Sequence, residues 1–170
     1  MRKGLKAVLF DLDGTLVDTH FLIFRCLNES LEAAAGIKFE ETWWHDNAGK
    51  PLHLLYPIAL EANGRTDVSI DDLIVDYRKR LKSYEHEVRL FPGALEMIEE
   101  VERGGLQLAL VTTKHSEAAD RHLESVGLAG RFAVVMTGDQ CKHYKPHPDP
   151  FERVLTKLSL EPAACISVGD

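Results

Sequence analysis

Continuous apolar runs alternate with segments of helical periodicity along most of the chain. The apolar runs predict buried strands of a parallel sheet, because such strands are covered on both faces and show no polar alternation. Segments with apolar residues three or four positions apart predict helices. The predicted strands are 5–11, 106–112, 133–136 and 164–168. The predicted helices are 20–36, 53–63, 69–84, 92–104, 116–126 and 149–158.

The order of these elements predicts an inserted domain. Only helices are predicted across a block of roughly 70 residues between the first and second strands, whereas connections within compact α/β units are usually short. We therefore expect an α/β core with a Rossmann-like, doubly wound parallel sheet, formed by residues 1–18 and 88–170. Residues 19–87 are expected to form an all-α cap, with an irregular stretch at 40–51.

Composition narrows the class of protein. The 170 residues carry a formal net charge of −7, which argues against a nucleic-acid or anionic-membrane partner. No apolar run approaches the length that spans a membrane. The chain enters its first strand too early to leave room for a signal peptide, and its three cysteines form no metal-binding pattern. A cytoplasmic location is the expectation.

Two carboxylates directly follow the first apolar run. Asp11 and Asp13 stand one residue apart, and Gly14 and Thr15 come next. Open α/β sheets bind ligands at the carboxyl ends of their strands. An unpaired buried carboxylate costs several kcal/mol, so these two aspartates require a cation. A cation between carboxylates at the end of a strand indicates a catalytic site.

Polar residues follow the other predicted strands as well. Thr112 and Thr113 end the second, Lys145 follows the third within Lys-Pro-His-Pro, and Asp170 ends the fourth. In a parallel sheet all of these groups converge on one crevice. The set suits phosphoryl transfer to an enzyme carboxylate with the help of a divalent metal ion.

The same residues resemble the motifs of the haloacid dehalogenase-like hydrolase superfamily, and of its phosphoglycolate phosphatases in particular. Asp11-Leu12-Asp13-Gly14-Thr15 resembles the first motif, and the strand ending at Thr112 resembles the second. Lys145 and the sequence Val-Gly-Asp at 168–170 resemble the third and the beginning of the fourth. Four motifs in this order make accident an improbable explanation. The chain ends inside the fourth motif, so we expect the C-terminal part of the core to be missing.

The resemblance implies a role for each motif residue. Asp11 would attack phosphorus and form an aspartyl-phosphate, and Asp13 would serve as general acid and then general base. Mg²⁺ would be bound by Asp11, the backbone carbonyl of Asp13, and Asp170. Thr112 and Lys145 would complete the catalytic set. The expected substrate- and phosphate-binding residues are Leu12, Gly14, Thr15, Thr112, Thr113, Lys145, Lys50 and His20.

The function expected from the sequence is Mg²⁺-dependent hydrolysis of a small phosphorylated metabolite by a monomer or homodimer. We also expect the pKa of Asp13 to be raised in the loaded site, so that it can donate a proton. One alternative is a phosphosugar mutase of the β-phosphoglucomutase type, in which Lys50 would replace the arginine of the cap loop. A second is a non-catalytic binding protein that keeps the fold.

Overall fold

The computed structural model describes residues 4–169 and contains six strands and seven α-helices within that range. The strands are β1 (Ala7–Phe10), β2 (Val17–Asp18), β3 (Arg89–Leu90), β4 (Gln107–Val111), β5 (Val134–Met136) and β6 (Cys165–Val168). The helices are α1 (His20–Ala35), α2 (Glu41–Asn47), α3 (Leu52–Ala62), α4 (Ile70–Ser83), α5 (Ala94–Arg103), α6 (Ser116–Ser125) and α7 (Asp149–Leu158).

Four of the strands form a parallel sheet in the order β5-β4-β1-β6. Phe10, the last residue of β1, pairs with Leu110 on one side and with Val168 on the other. The carboxyl ends of these three strands therefore lie at one edge of the sheet. This is the predicted α/β class, and the polar residues that follow β1 and β4 project from that edge.

Strand β1 and most of β4 and β5 are buried on both faces of the sheet, whereas Gln107 of β4 and Ile166 and Ser167 of β6 are exposed. One face contributes alternate residues of β1, β4 and β5 to a buried cluster with Val154 of α7, and Phe151 and Leu158 pack against it. The intervening residues of β1 and β4 are also buried. Helix α5 packs against β4, and its Ile98 is fully buried. Strands β1 and β4 therefore support the residues at their ends from within the core.

The chain divides into two compact units, residues 1–19 with 88–170 and residues 20–87. The second unit is all-helical, and α4 packs against both α1 and α3. Ser69 is the N-cap of α4, and its hydroxyl accepts a hydrogen bond from the backbone N–H of Asp72. Among residues 4–169 no helix has the length and apolar character needed to cross a membrane.

Three local features differ from the sequence prediction. The stretch expected to be irregular contains α2, which buries Trp44. The pair Asp149-Pro150 is typical of an N-cap followed by a proline at the first helical position, but the cap lies at Pro148 and Asp149 is the first helical residue. Strands β2 and β3 form a short antiparallel pair, with Asp18 opposite Arg89, and had not been predicted.

Candidate active site

Asp11 and Lys145 form an ion pair at the carboxyl edge of the sheet. The backbone N–H of Asp11 donates to Val168, so β1–β6 pairing extends to this residue and fixes its position. Lys145 Nζ lies 2.6 Å from Asp11 Oδ2 and donates a second hydrogen bond to the carbonyl of Val111, at 3.1 Å. Lys145 thus connects the ends of two adjacent strands across the proposed nucleophile.

Burial raises the pKa of Asp11 above its usual value, and this outweighs the opposing effect of the Lys145 ammonium. The negative charge of Asp13 raises the pKa of Asp11 further. One oxygen of Asp11, Oδ1, also accepts a hydrogen bond from the backbone N–H of Leu12 at 2.7 Å. The protein partners therefore offset the negative charge of Asp11 only in part. An additional cation would stabilise the ionised carboxylate.

Asp13 has a different cation partner. Lys114 Nζ lies 2.8 Å from Asp13 Oδ1, and the Lys114 side chain is only 7% exposed. The hydroxyl of Thr19, which is fully buried, donates to the same oxygen at 2.5 Å. Burial by itself would raise the pKa of Asp13, but Lys114 and Thr19 outweigh burial and lower it. The rise expected from the sequence concerns the loaded site and stays a prediction.

Thr112 lies directly after β4 and is buried. Its backbone N–H donates to Met136 of β5, so the β4–β5 pairing continues through this residue. Its hydroxyl oxygen accepts a hydrogen bond from the backbone N–H of Lys114 at 3.1 Å. The turn after β4 therefore holds Thr112 and Lys114 in a fixed relation to each other.

A cavity of about 230 Å³ opens beside the Asp11–Lys145 pair. Its lining combines this pair with side chains and backbone from the ends of β1, β4 and β6, and with one aromatic ring of α7. The lining residues are Phe10, Asp11, Val111, Lys145, Phe151, Ser167, Val168 and Gly169. A carboxylate and an ammonium that are partly withdrawn from solvent interact more strongly than they would in water.

The donor set fits a hard divalent cation. Asp11 and Asp13 supply carboxylate and carbonyl oxygens at one strand end, and Mg²⁺ prefers oxygen ligands. Asp170, the third predicted ligand, lies outside the described residues. Within 4–169 no group of three or more His, Cys, Asp or Glu side chains has the arrangement of a metal site, so the proposed set depends on Asp170.

The other predicted binding residues fall into two groups. Leu12 is buried and its N–H is directed at Asp11, and Gly14 turns the chain with a φ of 80°, which favours glycine. Lys50 and His20 belong to the helical unit, where Lys50 Nζ donates to Asp46 and Asn47. The roles of Thr15, Thr113, Lys50 and His20 stay predictions.

Several residues around the site were not in the predicted catalytic set. Lys114 and Thr19 hold Asp13, and their nearness to the motifs was the only signal in the sequence. Asp139 accepts hydrogen bonds from the turn after β4, and it follows β5 in a Gly-Asp pair, as Asp170 follows β6. His122 of α6 is fully buried, and neither ring nitrogen has a hydrogen-bond partner.

The doubly wound fold and the charged residues at its strand ends define an α/β enzyme that acts on an anionic substrate. The family model described as haloacid dehalogenase-like hydrolase matches residues 8–170. The chain therefore belongs to the haloacid dehalogenase-like hydrolase family, as the motifs predict. Hydrolases of this family generally use a divalent metal ion, usually Mg²⁺.

Known proteins of this family resemble the chain over nearly its whole length. Pyrophosphatase PpaX of Bacillus velezensis is 32% identical over 99% of this chain and 76% of its own length. The structure of β-phosphoglucomutase from Clostridium difficile has a TM-score of 0.86 at 22% identity, covering 96% of this chain and 75% of that one. CbbY from Rhodobacter sphaeroides, crystallised with phosphate, gives 0.80 at 24%, covering 96% and 76%. The two structures establish similarity of fold.

Proposed function

We propose that this protein is a Mg²⁺-dependent phosphatase of small phosphorylated metabolites that works through an aspartyl-phosphate on Asp11. The observation that carries the proposal is the Asp11–Lys145 pair, at 2.6 Å, with Asp13 beside it at the carboxyl edge of a parallel sheet. A carboxylate cannot approach a phosphate dianion unless cations offset their repulsion. Lys145, which lines the cavity together with Asp11, would offset part of this repulsion.

In the first step an oxygen of Asp11 attacks phosphorus, and the bond from phosphorus to the leaving oxygen breaks. The leaving oxygen takes a proton, which Asp13 supplies when the leaving group is basic. Lys145 offsets charge on the nucleophile and on the transferring group, and the Thr112 hydroxyl donates to a phosphoryl oxygen. Bound Mg²⁺, held by Asp11, the Asp13 carbonyl and Asp170, would supply further neutralisation of the phosphate.

In the second step Asp13 removes a proton from water, and the water oxygen attacks phosphorus. The bond between phosphorus and Asp11 breaks, which releases inorganic phosphate and regenerates the carboxylate. The Lys114 ammonium and the Thr19 hydroxyl favour the ionised form of Asp13. Ionised Asp13 is the form that this step requires.

The helical unit is proposed to act as the cap that selects the substrate. It enters the chain directly after the first motif, and its two ends meet at the β2–β3 pair. A cap over the site would exclude bulk water and large substrates. Small metabolites are the substrate class that such an arrangement admits.

A second candidate is hydrolysis of a phosphoanhydride such as inorganic pyrophosphate. A relative at 32% identity carries the name pyrophosphatase. The pairing of Asp13 with Lys114 lowers the pKa of Asp13, after the opposing effect of burial, so Asp13 carries no proton at neutral pH in the substrate-free site. A phosphate leaving group needs a proton less than an alkoxide does, which favours an anhydride over an alkyl ester.

Phosphate release from p-nitrophenyl phosphate, phosphoglycolate and pyrophosphate, with Mg²⁺ or EDTA, tests both candidates. We expect Mg²⁺-dependent release that Asp11→Asn lowers on the order of 10³-fold or more. Asp18→Asn changes an exposed carboxylate of strand β2; it is the matched control and keeps wild-type rates. Full activity in Asp11→Asn, or none in the wild type with any phosphorylated compound, would contradict the proposal. Glucose 1-phosphate conversion to glucose 6-phosphate would instead reveal the mutase.

A further inference from the structure

The turn between β4 and α6 carries Thr112 and Lys114, and its far end is held by a residue from another loop. Helix α6 begins after His115, whose side chain makes no capping hydrogen bond. The first helical N–H, that of Ser116, donates to Asp139 Oδ1 at 2.8 Å, and the Ser116 hydroxyl donates to Oδ2 at 2.7 Å. Asp139 therefore supplies from a distance the acceptor that an N-cap residue normally provides.

Asp139 is itself held in place by the loop that follows β5. The Thr137 hydroxyl donates to Asp139 Oδ1 at 2.8 Å. The pKa of Asp139 is lowered to about 2, because these hydrogen bonds outweigh the effect of partial burial. The carboxylate of Asp139 accepts three hydrogen bonds, so the position of the loop after β5 determines the position of the turn between β4 and α6.

The two loops also meet through their backbones. The N–H of Gly138 donates to the carbonyl of Lys114 at 2.9 Å. A Cβ atom at position 138 would overlap the Thr113 carbonyl oxygen, so only glycine permits this approach. The turn is thus attached to β5 and the loop after it at three places. The N–H of Thr112 donates to Met136 at the start, the carbonyl of Lys114 accepts from Gly138 in the middle, and Ser116 donates to Asp139 at the end.

We propose that Asp139, assisted by Gly138, is a positioning residue that sets the turn so that Lys114 reaches Asp13 and Thr112 faces the transferring phosphoryl group. Asp139 does not touch the reacting atoms and acts through residues 112–116. The inference rests on the proposed phosphatase function. It adds a residue to the catalytic apparatus that lies outside the four motifs.

The test compares Asp139→Asn with Glu117→Gln in the full chain. Both substitutions remove one negative charge near the start of α6, but Glu117 is 71% exposed and pairs with Arg121 of its own helix. We expect kcat of Asp139→Asn to fall about 10- to 100-fold, because small misplacements of catalytic groups cost this much. KM should change far less, and Glu117→Gln should match the wild type.

A second measurement does not depend on activity. Hydrogen exchange of the peptide spanning 112–118 should be faster in Asp139→Asn and unchanged in Glu117→Gln. If exchange quickens while kcat stays at the wild-type value, Asp139 is only a helix cap and the positioning role is wrong. Unchanged exchange together with unchanged kcat would overturn the inference as well.

Rescue separates helix stability from positioning. His115→Ser places a local cap on α6, so adding it to Asp139→Asn should restore the melting temperature but not kcat. The single His115→Ser variant provides the reference for both quantities. Recovery of kcat in the double variant would show that stability alone is involved. If the wild type has no phosphatase activity, the proposed function itself is wrong. If the wild type is active and Asp139→Asn has the same kcat, only the positioning role of Asp139 is wrong.

Discussion

At the scale of single residues, the site is governed by how its two half-buried carboxylates are compensated. Each aspartate has its own lysine, Lys145 for Asp11 and Lys114 for Asp13. Removing one partner of such a pair leaves a buried charge without compensation, which costs more than the pair itself contributes. We therefore expect loss of either lysine to change the chemistry of the aspartate that it pairs with, at some cost in stability.

Lys145→Met should abolish most of the activity while preserving the fold. The methionine retains the apolar stem but not the charge that lets Asp11 approach phosphate, so kcat/KM should fall about 10²- to 10³-fold. Phosphate release at saturating Mg²⁺ measures this. Lys142→Met, three positions away and exposed, is the control and should keep wild-type kinetics. A loss of equal size in both variants would mean that the general positive charge of this loop matters, and not the contact with Asp11.

His122→Leu should remove a source of acid instability. Burial and the nearby Lys114 ammonium lower the pKa of His122 to about 3, so the folded protein keeps this ring neutral. The unfolded chain protonates it below about 6.5, so its contribution is present above that pH and is lost as pH falls toward 3. Wild type should lose about 2 kcal/mol of unfolding free energy from this residue between pH 7 and pH 5.

Urea unfolding of both proteins at pH 7 and pH 5 checks the His122 prediction. His122→Leu should lose less stability across this interval than the wild type. His86→Leu replaces a histidine that is 73% exposed and should follow the wild-type curve. Identical pH dependence in His122→Leu and wild type would show that the ring is protonated, or solvated, in the folded protein.

The sequence identifies the strand-end residues because their type and position carry the chemistry. Asp11, Asp13, Thr112 and Lys145 each directly follow an apolar run or precede a proline turn. Contacts between distant segments leave no such local signal. Lys114 meets Asp13 across about 100 positions of sequence, and the partners of Lys114 depend on the direction in which the turn after β4 leaves the sheet.

At the scale of elements, the turn after β4 depends on close approach of the β5 loop. Gly138→Ala should destabilise the protein by about 1–3 kcal/mol, because the added Cβ overlaps the backbone oxygen of Thr113 and the neighbours must shift. It should also lower kcat by moving Lys114. Gln140→Ala changes an exposed side chain in the same short 3-10 turn and is the control. Thermal unfolding that is unchanged in Gly138→Ala would contradict the close approach.

The elements that the sequence predicts are those with strong periodicity or long apolar runs. Strands β1 and β5 are wholly apolar, β4 and β6 each carry one polar residue within an apolar segment, and α1 and α4 have regular apolar positions. Helix α2 lacks that pattern, since Glu41–Asn47 mixes two tryptophans with polar residues and buries only Trp44. Strands β2 and β3 have two residues each, which is too short for alternation to be visible.

At the scale of the whole molecule, β2 and β3 explain how an α/β core accepts an insertion of this size. Asp18 pairs with Arg89, so the chain leaves the core and returns to it at neighbouring positions. The core then needs only a short connection between these two points. The helical unit has its own buried residues, including Leu27, Tyr56 and Leu73.

Replacing residues 20–87 with a short Gly-Ser linker should therefore leave a folded α/β core. We expect circular dichroism of a mixed α/β protein and one cooperative thermal transition. The matched comparison removes only Ile70–Ser83, a smaller deletion that strips α4 from α1 and α3 and leaves their apolar faces exposed. That smaller deletion should be the less soluble protein. If the linker variant aggregates while the α4 deletion folds, the core depends on the helical unit, and the proposal that residues 20–87 are an independent cap is wrong.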